Sequence, residues 1–206
     1  MYDSGITVSA FLDSVDQEAD ISIEIPRTSP LRWLSAVEQF AYTEVLKEYV
    51  KAEIALDTYP SDVIDLKNLP VPVGAAIPVY DDVIRVYGEQ GQELRKSGAV
   101  AGYENPDYDL FYTDYNGGLI LHTRIEQSRI TIVYRVRPEI KTQDNESLLN
   151  VALPVEYLDM AAAKIRGEAY KISNEDGLAA KWLADYNQQV ENFKVWAISR
   201  NERYGA

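Results

Sequence analysis

The single histidine, His122, lies in the run LILHT, and no serine or cysteine motif stands beside it. A nucleophile needs an adjacent base and an orienting group, so His122 reads as a strand residue, at the surface or half buried. Acids are more plentiful. Asp81 and Asp82 are adjacent, and NPDYDLFYTDYNGG holds Asp107, Asp109 and Asp114. A calcium loop would space its ligands as D-x-D-x-D-G with a closing Glu, a pattern this segment does not complete. Two carboxylates working on a glycosidic bond leave no mark in sequence, and with 33 Asp and Glu present chance proximity accounts for neighbouring acids. The same segment carries Tyr103, Tyr108, Phe111, Tyr112 and Tyr115. Aromatic rings on a β-surface serve as strand core, as protein interface or as platforms for sugars, which makes Tyr108, Tyr112 and Tyr115 candidates for a ligand or partner surface.

Composition narrows the classes further. No cysteine is present, which removes disulfide frameworks and thiolate metal sites. No phosphate loop, dinucleotide fingerprint or basic nucleic-acid helix occurs, so no catalytic, cofactor-binding or metal-ligating residue is assigned and an enzyme is the least expected class. With 20 Lys and Arg against 33 acids, the net charge of -13 opposes a surface that wraps nucleic acid through its phosphates. Acidic walls would instead repel a passing duplex and keep it sliding. The opening MYDSGITVSAFLDSVDQ has no basic region followed by a long apolar run, and no window approaches the ~20 apolar residues of a membrane span. The chain is expected to remain where it is made unless it leaves within a larger assembly.

These residues must be positioned by an α+β chain. Thr7 precedes Val8, Phe11, Leu12 and Val15 at helical spacing, and Ile21, Ile23 and Ile25 alternate before Pro26. Ser29 as cap and Pro30 at the first helical position open a second helix, whose face is Leu34, Val37, Ala41 and Val45, widened by Trp33 and Phe40. From about residue 53 the period changes to two. The run LPVPVGAAIPVYDD forces extended and turning backbone, Gly88 to Gly91 marks a turn between strands, and Asn116-Gly117 marks a hairpin. In RITIVYRVRP, Ile130, Ile132, Tyr134 and Val136 share one face, opposite Thr131, Val133, Arg135 and Arg137. After the polar connection EIKTQDNESLLN the helical period returns. Val155, Leu158, Ala162, Ile165, Ala169 and Ile172 form a narrow seam after Pro154, with Ala163 and Gly167 as a second strip of small residues. Beyond SNED, the stripe Ala179, Leu183, Tyr186, Val190, Phe193 and Ala197, flanked by Trp182 and Trp196, is bulky enough to fill what that seam leaves open.

Neither helical half can bury its apolar face alone. The expectation is a helical bundle made by the N- and C-terminal helices, residues 1–52 and 150–206, with a β-rich insertion over 53–149. The alanine seam then packs on the N-terminal helices or on a neighbouring copy.

The strand ending VYRVRP, a polar linker, LPVEYLDMAAAKIRGEAY and DGLAAKWLADYNQQVENF, with the early SPLRWLSAVEQFAYTEVL, resemble the head-to-tail adaptor (connector) proteins of tailed bacteriophages. The resemblance covers nearly the whole architecture and contains no catalytic signature. It implies a non-enzymatic virion protein of the neck, assembled in the host cytoplasm. It further implies a twelve-membered ring of this chain that binds the portal protein and tail proteins and passes DNA without sequence-specific contact, with no cofactor and no membrane. Carried to this sequence, Ala162, Ala163, Gly167 and Tyr170 become candidates for subunit packing. Trp196, Arg200, Arg203 and Tyr204 become candidates for the portal contact, although the long portal-embracing tail of some relatives is lacking. Two other readings stand beside it: a carbohydrate- or receptor-binding β-module of a virion or cell surface, and another collar component such as a stopper or tail terminator, against which four helices argue.

Overall fold

The computed structural model describes residues 1–18, 24–56, 64–96, 110–113, 118–122 and 127–203. The chain is mixed helix and sheet and divides into two compact units, one of Met1–Lys47 with Pro138–Ala206, the other of Glu48–Arg137.

In the helical unit, α1 (Val8–Glu18) buries Val8, Phe11, Leu12 and Val15, the spacing read from sequence, and Thr7 Oγ1 accepts the Ala10 amide as an N-cap should. The next helix, α2 (Thr28–Phe40), begins one residue before the expected cap, so Ser29 sits inside the first turn rather than capping it. It continues as a π-helical stretch, Ala41–Leu46, in which Lys47 donates its amide to the Tyr42 carbonyl. Widening the turn by one residue rotates the side chains beyond it about the helix axis. Tyr42 and Leu46 are buried, while Val45, expected on the core face, is only half buried. Lys47, at φ 49°, ends the helix in the left-handed region.

A 3₁₀ turn at Val155–Tyr157 precedes α3 (Leu158–Ile172) and throws Val155 out of the seam to 57% exposure; Ile172, at the other end, is also exposed. Between them α3 is buried nearly all round: Leu158, Ala162, Ile165 and Ala169 on the expected seam, Met160, Ala161, Ala163, Gly167 and Tyr170 beside it. Small side chains suit a helix with neighbours on several sides, because they let axes approach closely. Asn174 (φ 58°) turns the chain, with the Glu175 amide returning to the Tyr170 carbonyl at 2.9 Å, and α4 (Asp176–Arg203) runs back. Its buried line is Ala179, Val190, Phe193 and Ala197, with Leu183 and Tyr186 half buried. One core joins α1, α2, α3 and α4.

The polar connection belongs to this unit, not to the insertion. Pro138–Asn150 threads past α1: the amides of Val8 and Ser9 donate to Leu149 and Glu146 carbonyls at 2.9 and 3.0 Å, and Val151 donates to Ile6 at 2.9 Å. Backbone pairing with the N-terminus left no apolar period to read.

In the other unit, residues 49–52, expected as the end of the helical segment, already lie in a strand. Among the described residues the strands are β1 (Tyr49–Ala55), β2 (Val83–Gly88), β3 (Glu93–Lys96), β4 (Leu110–Thr113), β5 (Leu119–His122) and β6 (Arg129–Arg135). They form one sheet in the order β1-β6-β2-β3-β4-β5, antiparallel except for the β3/β4 pair. The Gly88–Gly91 turn joins β2 to β3, with the Gly91 amide on the Gly88 carbonyl at 2.9 Å. The β4/β5 pair lies where the Asn116-Gly117 hairpin is expected, though that turn lies outside the described residues, as do Ile21 and Ile23. Ile130, Ile132, Tyr134 and Val136 are buried as one face, in a core with Ala52, Val83, Val86, Leu94, Phe111 and Leu119 beneath the first three. The proline-rich run is held by a turn at Gly74 (φ 75°), by the Ala76 amide on the Arg137 carbonyl at 2.8 Å, and by the Tyr134 hydroxyl donating to the Pro70 carbonyl.

Candidate functional site

The last turns of α4 meet the first residues of the chain in a cleft of about 610 Å³ lined by Tyr2, Pro154, Val155, Glu156, Trp196 and Arg200, among others. Two of its lining residues, Tyr2 and Trp196, belong to an aromatic cluster. The Phe193 and Trp196 rings stack at 5.6 Å and 18°, Tyr157 tilts against both at 4.8 and 5.3 Å, and Tyr2 stands 5.9 Å from Trp196. The Arg200 guanidinium lies 4.7 Å from the Tyr2 ring centroid and 5.8 Å from that of Trp196. The Tyr2 amide donates to the Tyr42 hydroxyl at 2.6 Å, which fixes the N-terminus in place. Burial, then the nearby Glu156 carboxylate, pushes the Tyr157 hydroxyl above its ordinary pKa, so it stays a neutral phenol. Rings, one guanidinium and flanking carboxylates make a recess suited to apolar and aromatic contact; they assemble no nucleophile with a base.

Two of the four residues expected to contact the portal, Trp196 and Arg200, are therefore brought together here. Arg203 lies on α4, where only its backbone is described, and Tyr204 lies outside the described residues. What sequence reasoning missed was Tyr2: one aromatic residue before the first helix carries no periodic signal.

The residues expected between subunits lie elsewhere. Ala162, Ala163, Gly167 and Tyr170 are all buried inside the protomer, so the small-residue strip is covered by the chain's own helices and offers no open face to a neighbour. A Cβ on Gly167 would stand 2.7 Å from Leu183 Cγ and Cδ2 and 3.3 Å from the Leu183 backbone nitrogen. Beside this contact, Arg166 lies 4.8 Å over the Trp182 ring while pairing with Glu18, and Lys164 lies 5.3 Å over Tyr186. Bulky side chains of α4 are thus capped by cations of α3. The outer face of α4 keeps Val195 and Ile198 at 67% and 60% exposure, one turn apart.

Of the tyrosine-rich segment, Tyr108 and Tyr115 lie outside the described residues. In the β4/β5 ladder Tyr112 is in register with Ile120 and His122 with Leu110. The acid pair is structural at Asp82, whose Oδ2 accepts the Val79 amide at 2.9 Å and the Arg137 guanidinium at 2.6 Å. Lys96 donates to the Tyr80 and Val83 carbonyls at 3.0 and 2.9 Å, and burial lowers its pKa. Among the described residues no group of three or more His, Cys, Asp and Glu is placed to hold a metal ion, and no helix is long and apolar enough to cross a membrane. Compared with known proteins, the chain matches no protein-family model and no curated sequence.

Proposed function

We propose that this chain is a structural virion protein, the head-to-tail adaptor of a tailed bacteriophage, acting as a ring between portal and tail that extends the DNA channel. The observation that carries this reading is the path of the chain. Helices from both ends share one core, while the middle leaves as a β-rich unit and returns. In this reading the helices form a bundle, copies of which stand side by side in the ring, and the β-rich unit faces the tail machinery.

The burial of Ala162, Ala163, Gly167 and Tyr170 moves the proposed contact between copies to the outer face of α4, where Val195 and Ile198 stand exposed. The Tyr2, Trp196 and Arg200 cleft is the proposed portal contact, since aromatic residues and arginine in a partly enclosed recess anchor protein interfaces. The role asked of DNA-facing surfaces is repulsion, which the charge of -13 supports.

Electron microscopy of the chain mixed with the portal protein encoded near it, with the chain alone as control, tests the reading. Stacked rings that form only with the portal are the expected result. A chain that stays separate from the portal at every ratio overturns it.

A further inference from the structure

The sheet has two edges, and they are finished differently. At β5, Ile64 closes the outer side through two backbone hydrogen bonds with Leu119, at 2.8 and 2.9 Å. At β1 no described backbone does so. The Val136 amide donates to the Glu48 carbonyl and the Leu56 amide to the Ser128 carbonyl, which fixes the phase of the β1/β6 ladder. Even-numbered residues of β1 spend their amides and carbonyls on β6; Tyr49, Lys51, Glu53 and Ala55 turn theirs outward.

Such a row is a template for another strand, and proteins usually blunt it with charge. Lys51 and Glu53 look like that defence, being exposed and opposite Val133 and Thr131 on β6, with no ion pair to either among the described residues. Against a second copy of the same strand the defence becomes an attraction. In YVKAEIA, antiparallel pairing centred on Ala52 sets Lys51 against Glu53 and Glu53 against Lys51, with Tyr49 opposite Ala55. Those are the pairs whose backbone groups face outward, so the hydrogen bonds fall in phase. On the other face Val50 meets Ile54 across the axis, two half-buried side chains that pack against the sheet's core and whose remaining exposure the partner would cover. Moving the centre to Lys51 opposes two lysines, and moving it to Glu53 opposes two glutamates.

We propose that two copies of this chain associate through β1, antiparallel about a two-fold axis at Ala52. An isologous contact of this kind cannot repeat around a cyclic ring, so it is a state of the free chain, and it stands whether or not the ring reading does. A chain held this way keeps its sheet edge from non-specific strand addition until assembly.

Sedimentation of the full chain over a wide concentration range, with thermal melts to confirm folding, tests this. The expected result is a monomer–dimer equilibrium that Lys51→Glu and Glu53→Lys each weaken about tenfold or more, because two favourable cross-strand pairs become two repulsive ones. The double variant K51E/E53K restores the dimer. A monomer at all concentrations, or a dimer indifferent to both charge reversals, overturns the proposal.

Discussion

The Lys141 Nζ lies 3.4 Å from the Glu38 Oε2, and their side chains are 1% and 0% exposed. The pair ties α2 to the returning connection: Glu38 Oε1 accepts the Ala152 amide at 2.7 Å, and the Lys141 amide donates to Ser35 Oγ at 2.9 Å. Burial pushes the Glu38 carboxyl up to about 7, against the pull of Lys141 and the Ala152 amide. Burying both charges carries a desolvation cost that this attraction only partly offsets.

The pH dependence takes its direction from that sign. With the folded value above the ordinary 4.5, the stabilisation from the protonated carboxyl is fully present below about 4.5 and is lost as pH rises through about 7. The linked loss is at most about 3 kcal/mol. Lys141→Met leaves the carboxylate without its cation and should cost about 3–5 kcal/mol at pH 8, and clearly less at pH 5, where Glu38 can take up a proton. The double variant E38Q/K141M should recover most of this loss and flatten the slope. Urea unfolding at the two pH values checks it; an equal loss at both would sink this account.

Gly167 makes a second test. Its would-be Cβ meets Leu183 at 2.7 Å, so Gly167→Ala should destabilise the helical unit by about 1–3 kcal/mol, despite the helix propensity it gains. Adding Leu183→Ala should relieve part of that clash, giving a coupling of about 1 kcal/mol in a double-mutant cycle. Purely additive losses would mean the two helices do not approach as closely as described.

Much of the helical unit was legible because burial repeats at helical spacing: Val8, Phe11, Leu12 and Val15, and Ala179, Val190, Phe193 and Ala197, lie where the period puts them. The misses have local causes. A π-helical stretch displaced Val45, a 3₁₀ turn displaced Val155, and the connection around Glu146 is organised by backbone hydrogen bonds that no side-chain pattern reports. For the β-rich unit, alternation located β6 and its buried face but not the start of β1, whose first residues continue the preceding helical composition. Of the cleft's residues, Trp196 and Arg200 were singled out by what the resemblance implies for the last helix, whereas Tyr2, with no periodic signal, required the fold to bring it beside that helix.

Lys47 offers a prediction about the backbone alone. It holds φ 49° at the end of the π-helical stretch, a conformation that costs an ordinary residue about 1 kcal/mol and glycine almost nothing. Lys47→Gly should therefore leave stability unchanged or raise it by up to about 1 kcal/mol, while Lys47→Val should lower it by more than that. Thermal melts of the two variants decide it. Equal effects would show that the left-handed turn is not held in solution.

Arg200 separates binding from folding at the cleft. Trp196→Ala would remove a ring that touches Phe193, Tyr157 and Tyr2, and a loss of about 3 kcal/mol would confuse any binding result. Arg200→Ala takes the guanidinium off the rings of Tyr2 and Trp196 without removing a ring from the cluster, and the loss of those cation–ring contacts should cost about 1 kcal/mol. Val155→Glu places a charge on the rim where the side chain is already exposed, so folding should hardly change. If this recess receives the portal, both variants keep the melting temperature within a few degrees of the parent and bind the portal about tenfold or more weaker by surface-immobilised titration. Parent-like affinity in both would remove the cleft from the portal contact and direct the search to the exposed Val195 and Ile198 face.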